Sequence, residues 1–133
     1  MKLYFNLIVL FFCFNSYAQV EKSYDEGLVK FINKDYENAI IAFNDVLKLA
    51  PQNFEAHYYI GVCNIKLKHY KTAIVNLDKT IELNSKYSKA YYNRGVAKFY
   101  LSDNFDGCVD FKKAVELDPR YDEAIKSIKE FCN

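Results

Sequence analysis

The chain contains no tryptophan, one methionine, two histidines, two prolines and four glycines in 133 residues. Each scarcity excludes something. His57 and His69 lie apart and read as structural residues, His69 in a turn, so no histidine-based chemistry is expected. No His-Glu-x-x-His helix, phosphate-binding glycine loop, Ser–His–Asp order or paired-cysteine motif occurs. Glu21, Asp25, Asp78 and Glu82 read as the wet faces of helices. Function has to be argued from a site, and no catalytic site presents itself. The expectation is a non-enzyme with no cofactor and no metal.

Charge of one sign is also missing. Lysine and arginine number 18 against 17 acidic residues, without a block of either sign. A nucleic-acid partner or an anionic membrane would call for a basic stripe, and none is visible. Long apolar runs are absent too. The run from Leu7 to Phe14 falls well short of the roughly 20 residues that span a bilayer. Preceded by Met1-Lys2 and followed by Ser16-Tyr17-Ala18, it has the pattern of a secretory signal peptide over residues 1–18. The mature chain is then expected to begin at Gln19 and to be periplasmic or secreted, with no membrane contact of its own. An uncleaved anchor is the weaker reading, and Phe12 before Cys13 disfavours lipidation there.

What is present is a repeat of 34 residues. Gly27, Gly61 and Gly95 keep this step, as do Tyr24, Tyr58 and Tyr92, and Leu49, Leu83 and Leu117. Ala39, Ala73 and Gly107 form a small series; Phe43, Leu77 and Phe111 form a large one. Pro51 and Pro119 stand two periods apart with Ser85 between them. Within a unit, apolar residues recur at steps of three and four, the mark of two helices. Breaks are expected at Lys34-Asp35, Lys68-His69 and Ser102-Asp103, and the prolines end second helices. A glycine inside a helix costs about 1 kcal/mol relative to alanine and needs a reason. Close approach to the small series, with Tyr36, Tyr70 and Phe43 filling the flanks, supplies one. Residues 122–132 read as a capping helix, dry along Ala124, Ile125, Ile128 and Phe131. The expected architecture is all-α: three helix-turn-helix units at about 20–53, 54–87 and 88–121, stacked as a solenoid, plus the cap.

The stretches Gly61…Tyr70-Lys71-Thr72-Ala73-Ile74 and Phe111-Lys112-Lys113-Ala114-Val115-Glu116-Leu117-Asp118-Pro119 resemble the tetratricopeptide repeat (TPR) family. The resemblance covers residues 20–132. It implies a right-handed superhelix whose first helices line a concave groove for protein contacts. The family often places tryptophan, leucine and a later tyrosine around the glycine. Here those places hold Ser23, Glu26 and Lys30, then His57, Ile60 and Asn64, then Tyr91, Arg94 and Lys98. Arg94 must therefore be paired or extend its charge to water. A subclass of the family clamps the C-terminal carboxylate of cytosolic chaperones. Its five positions fall on Tyr24, Leu28, Tyr59, Lys89 and Asn93, and only Lys89 matches, so that partner is not expected.

The resemblance also orders the remaining candidates. It implies that Cys108, in series with Ile40 and Ile74, faces the following unit, where an antiparallel cap brings Cys132. A disulfide between them is one expectation and two separate buried thiols the other, with Cys63 a buried small hydrophobe in either case. The tyrosine column Tyr24, Tyr58 and Tyr92 is placed on the concave face. Tyr59, Lys66, Lys89 and Asn93 would add polar contacts at its edge. The rings either meet a partner or pack the inner wall. The function these residues suggest is binding an extended or helical segment of another protein. The alternative is a structural subunit that self-associates through the solenoid ends.

Overall fold

The computed structural model describes residues 2–132, with side chains from Asn15 onward. Among these residues seven helices follow one another: α1 (Lys2–Ile32), α2 (Tyr36–Leu49), α3 (Phe54–Lys66), α4 (Tyr70–Leu83), α5 (Ser88–Tyr100), α6 (Asn104–Leu117) and α7 (Asp122–Phe131). Among the described residues there is no strand, and no helix is long and apolar enough to cross a membrane. The helices pair as hairpins α1–α2, α3–α4 and α5–α6; α2 packs on α3, α4 on α5 and α6 on α7. This is a one-dimensional stack in which each unit touches its neighbours. Backbone helix runs without a break through Ala18–Gln19, the bond at which cleavage is expected. Met1 and the side chains of Leu7–Phe14, including Cys13, lie outside the described residues.

The first helix of each unit ends in the same way. Lys34, Lys68 and Ser102 take left-handed φ values of 61°, 63° and 65°. The Lys34 N–H bonds the Phe31 carbonyl at 3.0 Å and the Asp35 N–H reaches back to Lys30 at 2.9 Å. The pairs Lys68/His69 and Ser102/Asp103 repeat that double bond. It satisfies carbonyls that the helix end leaves open, in a motif that normally carries glycine. A side chain in this conformation costs roughly 1–2 kcal/mol. Lys34→Gly and Lys68→Gly are each expected to raise stability by about 1 kcal/mol, read as a higher midpoint in urea with the slope unchanged.

The second helices supply the core. Ala39, Phe43 and Val46 are fully buried, as are Ala56 and Cys63 from the next unit, with Tyr24, Phe31 and Tyr59 packed against them. The glycines make close approaches, though not chiefly to the small series as expected. A Cβ on Gly27 would lie 2.7 Å from the Phe43 ring, and one on Gly61 would lie 2.8 Å from Leu77. The large residue one turn further along lies directly over the gap, so the glycine makes room for a ring or branched side chain. The expected approach to the small series appears beside this in the second and third units, where a Cβ on Gly61 would meet the Ala73 carbonyl at 3.4 Å and one on Gly95 the Gly107 carbonyl at 2.9 Å.

Cys108 and Cys132 are joined by a disulfide, with Cα atoms 5.6 Å apart. It ties the start of α6 to the end of α7.

Candidate partner-binding surface

Tyr24 on α1, Tyr58 on α3 and Tyr92 on α5 stand on successive first helices, each half-buried. Contacts across the column show that these helices adjoin. The Tyr24 ring meets Tyr59 edge-on at 6.1 Å, and Asn93 donates from Nδ2 to the Tyr58 hydroxyl at 3.3 Å. Asn93 also caps the Lys89 carbonyl at 2.9 Å, so its side chain is held between two helices. Tyr59 lies flat on Phe43 at 5.1 Å and meets Phe31 at 5.3 Å. Its ring therefore belongs mainly to the packing between the first two units. Lys89 and Lys66 are exposed, Lys89 early in α5 and Lys66 in the last turn of α3.

Two further rings, beyond those the repeat pattern predicts, complete the column. Tyr87 packs against Tyr58 at 5.1 Å and Tyr121 against Tyr92 at 5.1 Å. They stand at the N-cap positions of α5 and α7, one repeat apart. That 34-residue step is the sequence signal that could have found them. In the first unit the corresponding residue is Asn53, which instead accepts the Ala56 N–H at 2.8 Å to cap α3. Among the described residues no ring from that turn covers Tyr24, and Tyr17 of α1 borders the same space. A cavity of about 420 Å³ opens there, lined by residues that include Tyr24, Asp25, Asn53 and Glu55. Burial, joined by the nearby Glu55 carboxylate, raises the Tyr24 phenol well above the usual range. Burial does the same to Tyr58 and Tyr121.

The charge at Arg94 is paired. Its guanidinium holds Asp110 with two bonds, at 2.9 and 2.6 Å, and Asp78 with a third at 2.7 Å. It also lies over the Tyr91 ring at 5.5 Å. Lys98 adds a second cation to Asp110 at 2.9 Å. Asp78 is therefore not simply a wet-face residue: it links the second unit to the third. Asp110 is nearly inaccessible and its carboxylate is fully engaged. Among the described residues no group of His, Cys, Asp and Glu could hold a metal.

A 34-residue unit of two helices, repeated as stacked hairpins, is the architecture of a tetratricopeptide-repeat protein. A family model described as anaphase-promoting complex, cyclosome, subunit 3 matches residues 13–80, just over half of the chain, and the chain belongs to this family of repeats. No curated protein matches. Among solved structures, the Arabidopsis OM64 TPR domain is 22% identical with a TM-score of 0.85, covering 87% of this chain and 96% of that one. The first TPR of Spaghetti (RPAP3), bound to the HSP90 peptide SRMEEVD, is 23% identical with a TM-score of 0.83, covering 86% and 91%. MamA from Desulfovibrio magneticus RS-1 is 29% identical with a TM-score of 0.74, covering 84% of this chain and 66% of that one. The first two likenesses concern the fold alone.

Proposed function

We propose that this chain is a non-catalytic, exported protein-interaction module that takes an extended or helical segment of another protein along its first helices. The observation that carries the reading is the column of Tyr24, Tyr58 and Tyr92, half-buried and spaced one per unit. Tyrosine offers a large apolar ring, a hydroxyl and little rotamer entropy to lose, which suits a contact surface. Asn93, Lys89 and Lys66 provide polar contacts, and Tyr59 supports the wall. The RPAP3 repeat with its bound peptide lends the fold-level support. That peptide, SRMEEVD, is acidic. Here only Lys89 keeps a clamp charge, so a chaperone tail is not the expected partner.

Crosslinking and pull-down in the native compartment would supply the partner. Tyr58→Ala and Tyr92→Ala, made singly, are then expected to weaken binding by about tenfold or more, since large aromatic anchors dominate interfaces. Binding must be measured well below each variant's melting transition. Unchanged affinity would return these tyrosines to the scaffold. Export is tested separately: N-terminal sequencing of the exported protein is expected to read from Gln19, and a retained residue 1–18 segment or a lipid on Cys13 would refute it.

Self-association is the second reading, and the observation that favours it lies along the stack and not at the solenoid ends, where the interface was expected. Ile41, Val75 and Val109, one per second helix at the repeat step, are all exposed, at 60%, 67% and 51%. A concentration-dependent mass in solution would support it.

A further inference from the structure

The tyrosine column is covered unevenly, and the uncovered end has its own chemistry. Tyr58 and Tyr92 each have a ring from the next inter-unit turn packed against them, Tyr87 and Tyr121. Tyr24 has Asn53 there instead, and the space is the cavity between α1 and the start of α3. Glu55 and Asp25 border that cavity, and among the described residues neither has an ion-pair partner. Glu21 also lines it, beside Tyr17, which lies before the expected cleavage site. Glu21, Asp25, Glu55 and Tyr24 lie beyond that site and remain in the mature chain, where loss of Tyr17 opens the cavity on that side. The sign then reverses along the face, because the series Glu21, Glu55 continues as Lys89.

We infer that the segment bound along this face carries an arginine that fills the cavity, stacking on Tyr24 in the place of the missing ring and pairing with Asp25 and Glu55. The inference rests on the groove reading of the tyrosine column. A cation is favoured over any other occupant on three grounds. A segment lying here takes the carboxylates of Glu21, Asp25 and Glu55 partly out of water, which is costly unless they are paired. A planar guanidinium combines a charge with a face that packs on an aromatic ring, which a lysine does less well. And the protein already holds one arginine in this manner: Arg94 lies over Tyr91 while bonding the carboxylates of Asp78 and Asp110. An acidic segment would meet like charge at this end, and an aliphatic one would leave these carboxylates unpaired.

The test uses the full chain and two fluorescently labelled decapeptides of equal leucine, serine and glycine content. One carries two arginines, the other two glutamates at the same places. The arginine peptide is expected to bind at least about tenfold more tightly, and to lose most of that advantage between about 0.05 and 0.5 M salt. Glu55→Lys should weaken it by about tenfold, and Glu55→Gln by less. Asn53→Tyr, which supplies the ring found in the other units, should fill the cavity and also weaken it. Glu55 is exposed, so its variants should keep the wild-type melting curve, and circular dichroism checks this. Equal affinity for the two peptides, preference for the glutamate peptide, no binding by either, or indifference to both Glu55→Lys and Asn53→Tyr would overturn the inference. The groove is judged by different variants. If peptides bind and Tyr58→Ala abolishes binding without an arginine preference, the groove stands and the arginine site falls. If arginine binding responds to Glu55 but not to Tyr58 or Tyr92, the groove reading fails.

Discussion

Asp110→Ala is expected to be among the most damaging single substitutions in this chain, costing about 3–5 kcal/mol. Asp110 is 2% exposed and receives two bonds from Arg94 and one from Lys98. Removing the carboxylate leaves two cations facing each other on α5 with only Asp78 in reach. The penalty is that of charges left without compensation, which exceeds the net worth of an intact pair. For a domain of this size it should lower the melting temperature by about 10–20 °C. The contrasting variant replaces the group as a whole. Arg94→Leu with Lys98→Leu and Asp110→Leu puts apolar residues where charges stood, and should recover most of the loss. A melting temperature for Asp110→Ala within a few degrees of wild type would show the network to be dispensable.

Losing the disulfide ranks next. Cys108 and Cys132 close a loop of 24 residues, and chain-entropy arguments assign such a crosslink roughly 3 kcal/mol. Cys132→Ser should therefore destabilise the chain by about that amount, and hydrogen exchange should speed up first in α7, the element the bond secures. Peptide mapping without reductant should recover residues 108 and 132 linked. Cys63 should be found as a thiol. Burial pushes that thiol up to about 12, so it stays protonated in the folded chain and should resist alkylation at neutral pH until the protein unfolds. Between about pH 9 and about pH 12 the unfolded chain releases this proton while the folded chain keeps it, so stability falls as pH rises through that window. Free thiols at all three positions would contradict the bond.

The repeat makes the architecture legible, because spacing records which side chains share a face and the glycine and proline series punctuate the helices. Less is readable about pairing between units. Arg94 stands out as a charge needing a partner, but its partners Asp78 and Asp110 lie 16 residues away on either side. Only the stacking of α5 between α4 and α6 brings them together, and no helical periodicity within one segment reports it. Spacing alone places the glycine contacts one turn off for a similar reason. It identifies the facing helix, but whether Ala39 or Phe43 lies over Gly27 depends on the crossing geometry. Tyr87 and Tyr121 escape a periodicity-based reading because they stand in turns, outside the helical pattern. Aligning the units position by position exposes them, and Asn53 as the exception.

The half-burial of Tyr24, Tyr58 and Tyr92 makes the face these rings share an unfinished core. Each ring already helps to hold its own unit, and a segment laid over it would act as one more packing layer. Occupancy and folding would then draw on the same atoms. A ligand at a hundred times its dissociation constant adds about 2.7 kcal/mol to the stability of what it binds. In a solenoid that increment would spread from unit to unit, so the bound chain would unfold as a more cooperative body than the free one.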